Sequence, residues 1–412
     1  VAGLSLCLLL LVGVVAWQVR DDPYVATPAD RSADAPSVRP GAAAEALANL
    51  EDAIGRGDAD AAAALAPRDD PAAARRLADI VENAEEVGLE GVTLRYVDQD
   101  GGIDAEGGWR ADVDVTWQVA GFDPGPARSE VTFALRDEPT DGGARVALTA
   151  AGVGGGRAPL WLTDDLQVRR TDSRVVMVAG TRRDLVRYDR LVRAALPVVR
   201  RVLPGTDRGL VVEVPASAAA LDAALGADEG TYAEVAAVTT SPDGLVTPSA
   251  PVHVLVNPDE MDRLERTGAQ VVMSHEAVHA LTDAPTSQAP LWLVEGFADY
   301  VALRDVDLPD TTVAAQALEQ VRENGLPDAL PGPAELGVGA PYLGASYEAA
   351  WLATRAVTRA ADEKALVELY RATSAGEPFE AALRDVAGIS VPGLTRRWRD
   401  ELERLAAQAG PS

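Results

Sequence analysis

The hydrophobic pattern changes period along the chain. Val1 to Trp17 is an uncharged, mostly apolar run, and residues 18–40 are rich in Pro, Ala and Asp with little periodicity. From Gly41 the spacing turns helical, with Leu47, Leu50 and Ile54 on one face and Gly55 to Gly57 as the stop. Leu77, Ile80, Ala84 and Val87 predict a second helix ending at Gly88. Period two follows. Val92, Leu94 and Tyr96 alternate, and so do Trp109, Ala111, Val113, Val115, Trp117 and Val119, with Arg110, Asp112, Asp114, Thr116 and Gln118 opposite them. Val131, Phe133 and Leu135, then Val146 and Leu148, continue the alternation. Such runs predict a half-buried antiparallel sheet, turned at Gly101-Gly102, Asp123-Pro124-Gly125 and Asp141-Gly142-Gly143.

Further on, Thr181 to Leu203 reads as a helix, and Leu210–Val214, Val235–Thr239 and Val252–Val256 read as strands. After Leu303 the chain is helical with Pro and Gly breaks: a helix opening at Pro341-Tyr342, then Glu363–Thr373, Phe379–Val386 and Pro392–Ala407. The class is α+β. Residues 41–180, two helices leading into a curved sheet, resemble the nuclear transport factor 2-like (NTF2-like) fold. That resemblance is topological and carries no activity; a spacer or protein-binding module is the reading for this part. Residues 181–412 form the second domain.

Composition narrows the function. The chain has 412 residues and a net charge of −27, from 64 acidic and 37 basic side chains. So acidic a surface argues against nucleic acid as a partner and against docking on anionic lipid. Arg182, Arg183, Arg187, Arg190 and Arg193 form a basic run, read here as a solvated helix face. Cys7 is the only cysteine, so no intramolecular disulfide forms. It follows Leu6 and sits within the apolar run, which does not fit a lipoprotein signal. Residues 1–17 are read as a transmembrane anchor, with a secretory signal cleaved near Val14-Val15-Ala16 as the alternative. Residues 18–40 are a disordered linker. The body is placed outside the cytoplasm, on the cell membrane, or secreted if the signal is cleaved.

Chemistry concentrates at His275-Glu276-Ala277-Val278-His279, an H-E-x-x-H motif holding two of the three histidines. On a helix, positions i and i+4 share a face, so both imidazoles can grip one Zn²⁺ while Glu276 reaches a water. A third ligand is needed, and no histidine follows His279. The metzincin pattern fails, with Thr282 and Pro285 where Gly and His would stand. Downstream, Trp292-Leu293-Val294-Glu295-Gly296-Phe297-Ala298-Asp299-Tyr300 predicts a second helix after the turn-rich Asp283–Pro290 stretch. Glu295 and Asp299 share one face of it, and Asp299 suits a carboxylate that orients an imidazole.

H-E-x-x-H followed by W-L-x-E-G-F-A-x-Y resembles the gluzincin metallopeptidases, the group that includes thermolysin and related zinc aminopeptidases. The resemblance implies one Zn²⁺ on His275, His279 and Glu295, with Glu276 as general base and Asp299 as partner of His275. It also implies a tyrosine that hydrogen-bonds the oxyanion. Tyr342, after Pro341, matches that position, with Tyr347 as the second candidate. A small sheet before the motif fits the same core, where an edge strand takes up substrate backbone. Two departures stand out. Val235–Thr240 lacks the acid that holds a free amine in the aminopeptidases, and Val294 stands where Asn usually precedes the ligand glutamate. His253, on a strand, is read as packing. The expected activity is hydrolysis of peptide or protein substrates. The rival is a binding or assembly protein with a structural or vestigial zinc site.

Overall fold

Two sheets carry the architecture. The computed structural model describes residues 38–140, 143–337 and 340–409. The expected membrane or signal segment at 1–17 and the linker as far as residue 37 lie outside them, as do Asp141 and Gly142 of one expected turn. Among the described residues, no helix is long and apolar enough to cross a membrane.

The first sheet is an antiparallel meander: β1 (Leu89–Asp100), β2 (Gly108–Val119), β3 (Ala127–Thr140) and β4 (Gly143–Ala151), in the order β1-β2-β3-β4. The alternation in β2 is realised as expected. Trp109, Ala111, Val113, Val115, Trp117 and Val119 are buried, and the polar set faces the other way. Helices Pro40–Arg56 and Pro71–Val87 lie against this sheet, each ending on a glycine in the left-handed region, Gly57 and Gly88.

The second sheet has five strands: β5 (Gln167–Thr171), β6 (Arg174–Val178), β7 (Leu210–Val214), β8 (Ala237–Thr240) and β9 (His253–Val256), in the order β5-β6-β7-β9-β8. β6, β7 and β9 are parallel, while β5 and β8 are antiparallel edges. The helix Arg182–Val202 makes the crossover from β6 to β7, as a parallel pair requires. A Thr181–Asp184 capping box starts that helix.

This sheet is buried on both faces, which is why all five residues of β7, Glu213 included, are buried and the strand shows no alternation. Val175, Met177, Val211 and Leu255 face the core shared with the first sheet and its helices. Val176, Val178, Val212, Val254 and Val256 face a second core built from the C-terminal helices. The boundary drawn at residue 180 therefore falls inside this layer: β5 and β6 precede it and pair into the sheet that follows it. Sequence reading left both strands out. β5 is mostly polar and β6 is short and apolar at every position after Arg174, so neither shows a period.

A buried ionic cluster joins the layers. His253 on β9 is 1% exposed. Its Nδ1 lies 2.6 Å from Glu213 Oε1 on β7, and its Nε2 lies 2.9 Å from Asp123 Oδ1 in the β2–β3 turn. Burial works against a charged imidazole, but the two carboxylates outweigh it and hold its pKa up at about 10.

Candidate metal centre

The motif folds as the sequence predicts. Arg266–Leu281 is a helix that buries Ala269, Met273, Ala277 and Ala280, and it holds His275 and the buried His279 one turn apart on another side. It ends at Thr282, and Asp283 then takes a left-handed conformation (φ 53°), held by Arg208. After Pro290 comes the helix Leu291–Leu303. It is apolar almost all round, as befits a helix inside a core. Its only charged residues are Glu295 and Asp299, one turn apart and facing the histidines.

Gly296 sets the depth of this helix. A Cβ there would lie 2.4 Å from the Ala350 carbonyl oxygen and 2.9 Å from Thr354 Cγ2. The bare glycine lets the helix Leu343–Ala360 press against it, with Thr354 Oγ1 donating to the Gly296 carbonyl at 3.0 Å. That contact carries Tyr347 to the histidines: its ring stands edge-on to His275, with centroids 6.2 Å apart.

Three donor atoms converge. The Nε2 atoms of His275 and His279 are 2.8 Å apart, and each lies 3.2 Å from Glu295 Oε2. His275 Nδ1 faces Asp299 Oδ1 at 2.8 Å. A nitrogen facing a carboxylate carries the proton, so in the neutral ring, the form that ligates a metal, the lone pair of His275 is on Nε2, toward the cluster. His279 Nδ1 is buried without a hydrogen-bond partner. Burial disfavours charge on His275, yet Asp299, Glu295 and Glu276 together raise its pKa well above the ordinary histidine value. Burial likewise opposes ionised Glu295, but the two imidazoles win and hold its carboxyl far below the usual range.

The donor set, two imidazole nitrogens and a carboxylate oxygen, fits a zinc ion, which these three groups would hold with a further position open. All three come from buried or half-buried side chains on two packed helices, so little rearrangement is needed to bring them together.

Glu276 stands beside the cluster and is 8% exposed. Its Oε2 accepts a 2.6 Å hydrogen bond from Thr239 Oγ1 on the edge strand β8. Sequence reading missed Thr239, because nothing in the spacing ties residue 239 to residue 276. A cleft of about 280 Å³ opens here, where His275, Glu276 and Tyr347 meet Val235, Val272 and Leu343. Burial, then the carboxylates of Glu295, Glu276 and Asp299, push the Tyr347 phenol up, so it stays protonated at neutral pH.

The structure thus gathers His275, Glu276, His279, Glu295 and Asp299. It does not bring Tyr342 among them. Tyr342 is the residue before the helix, held left-handed (φ 60°), 66% exposed, in a separate groove with Trp398 and Leu402. His253 is away from the cluster, between Glu213 and Asp123. The chain matches no known family model, and no curated protein gives a significant match.

Proposed function

We propose that this protein is a zinc-dependent peptide hydrolase of the gluzincin type. One observation carries the reading: the convergence of His275 Nε2, His279 Nε2 and Glu295 Oε2, with Glu276 unliganded beside them at the head of a cleft. A bound Zn²⁺ supplies Lewis acidity toward a carbonyl oxygen and lowers the pKa of a water. The protein's own groups do the rest. His275, His279 and Glu295 hold the ion, and Asp299 fixes the ring of His275. Glu276 takes a proton from the attacking water on its carboxylate and returns it to the leaving amine. Thr239, donating to Oε2, aims that carboxylate. Tyr347, in place of Tyr342, donates its phenolic proton to the oxygen on which negative charge develops. The outer edge of β8 offers backbone groups for an extended peptide.

The N-terminal helices and meander fit the NTF2-like reading, with a spacer or binding role, and the second sheet with the C-terminal helices fits a zincin core. Extracytoplasmic placement and a membrane tether rest on the sequence of residues 1–40. The presence of a base beside the ligands counts against a purely structural site, which has no use for one. Metal analysis of the full chain decides the ligand set. One zinc per chain is expected, lost in His275→Ala, His279→Ala and Glu295→Ala. Full zinc affinity in Glu295→Ala would remove Glu295 from the set.

A further inference from the structure

A cavity of about 1020 Å³ lies away from the histidines, between the start of the Arg182–Val202 helix and the start of the Arg266–Leu281 helix. Five arginines line it: Arg182, Arg183, Arg187, Arg190 and Arg266. Two carboxylates share the wall, and both already have partners. Asp184 turns back on the helix start, accepting from the Thr181 N–H at 2.9 Å and the Thr181 hydroxyl at 2.6 Å. Asp262 pairs with Arg187, which also donates to the Met261 carbonyl at 2.8 Å.

The other four guanidiniums make no ion pair and no side-chain hydrogen bond among the described residues. That is unusual in a chain with 64 acidic side chains for 37 basic ones, where most described arginines find a carboxylate or a carbonyl. Arg183, Arg187 and Arg190 fall at i, i+4 and i+7 on one helix face. They form a stripe roughly 10 Å long by helix rise. Arg266, 76 positions on from Arg190, stands across the groove. A solvated basic face has no need of a concave wall or of a fifth arginine brought in from a second helix.

We propose that this groove binds a phosphate-bearing anion with more than one charged group, through Arg183, Arg190 and Arg266, with Arg182 also in its lining. Guanidinium forks match phosphate oxygens in pairs, and an extended stripe favours a di- or triphosphate chain, or clustered lipid phosphates, over a single ion. Arg266 is nine residues before His275, roughly 13 Å of helix rise, so this site is separate from the metal cluster and does not depend on it.

The test is calorimetric titration of the full chain, stripped of metal and dialysed, with sodium tripolyphosphate at low salt. Inorganic phosphate and an oligoglutamate serve as comparisons. Co-flotation with phosphatidylglycerol or phosphatidylcholine vesicles separates a lipid headgroup from a free phosphate source. Saturable binding of tripolyphosphate is expected, one per chain, at least about tenfold weaker in the triple variant Arg183→Ser, Arg190→Ser, Arg266→Ser. It should also weaken with added salt. Since none of these three side chains makes an ion pair or side-chain hydrogen bond among the described residues, and Arg183 has only its attraction to Asp184 to lose, the variant should melt close to the wild type. Binding to phosphatidylglycerol vesicles alone, lost in the same variant, supports the groove with a headgroup as its ligand. No binding of either probe, binding unchanged in the variant, or oligoglutamate bound as tightly as tripolyphosphate overturns the proposal.

Discussion

Side chains around His275 divide into those that hold, those that orient and those that react. Asp299 orients: it meets only Nδ1 of His275. Asp299→Asn should therefore weaken zinc binding by about 10–100-fold without abolishing it, as measured by chelator competition. Wild-type affinity in that variant would mean the contact is idle. The two tyrosines separate the same way. Tyr347→Phe should lower kcat by roughly 10²-fold if the phenol stabilises the oxyanion. Tyr342→Phe, at a side chain 66% exposed in another groove, should leave kcat alone. The reverse pattern would restore Tyr342. Sequence could not choose between them. The choice depends on a left-handed turn at residue 342, which stops the helix short of Tyr342 and leaves Tyr347 on the inner face.

At the scale of elements, the site depends on how closely two helices pack. Gly296 lies against the Ala350 carbonyl, so Gly296→Ala forces the Glu295 helix and the Tyr347 helix apart. Overpacking of this kind costs about 1–3 kcal/mol, read as a fall in melting temperature. An unchanged melting temperature would show that the contact is looser than drawn. These two helices and the motif helix were readable in sequence, because i, i+4 spacing, Pro290 and the apolar run are local signals. The meander strands were readable for the same reason: one buried face imposes period two. β5 and β6 were not, since a strand polar at one edge of a sheet or buried on both faces loses that period. Thr239 beside Glu276, and Arg266 in one groove with Arg190, are products of tertiary packing that no spacing announces. So is the His253 cluster, whose partners are 40 and 130 positions away.

For the whole molecule, the second sheet is the shared wall of both cores. A chain beginning at Thr181 loses β5 and β6 and exposes Val211, Leu255 and His253. It should be insoluble or unfolded, while one beginning at residue 38 should fold; a soluble, zinc-binding chain from Thr181 would show that the N-terminal layer is dispensable. The same wall has a pH signature. His253 is held at about 10 in the fold against an ordinary 6.5. Its pKa is raised, so its contribution to stability is full below about pH 6.5 and fades as pH climbs toward 10. The melting difference between wild type and His253→Gln should shrink over that window. A difference that stays constant from pH 6 to pH 10 would mean that the imidazole is not charged in the fold.

The central claim is that Glu276 is the base of a peptide hydrolase rather than a bystander at a metal site. Glu276→Gln keeps the shape of the side chain and can still accept from Thr239, while the carboxylate that takes the proton is gone. The deciding measurement is cleavage of a broad peptide library by the zinc-loaded full chain, wild type against Glu276→Gln, with zinc content determined on the same samples. Hydrolysis by wild type that falls by about 10²–10⁴-fold in the variant, with one zinc still bound, is the predicted result. Zinc-loaded wild type that cleaves nothing, or a variant that cleaves as well as wild type, would contradict it.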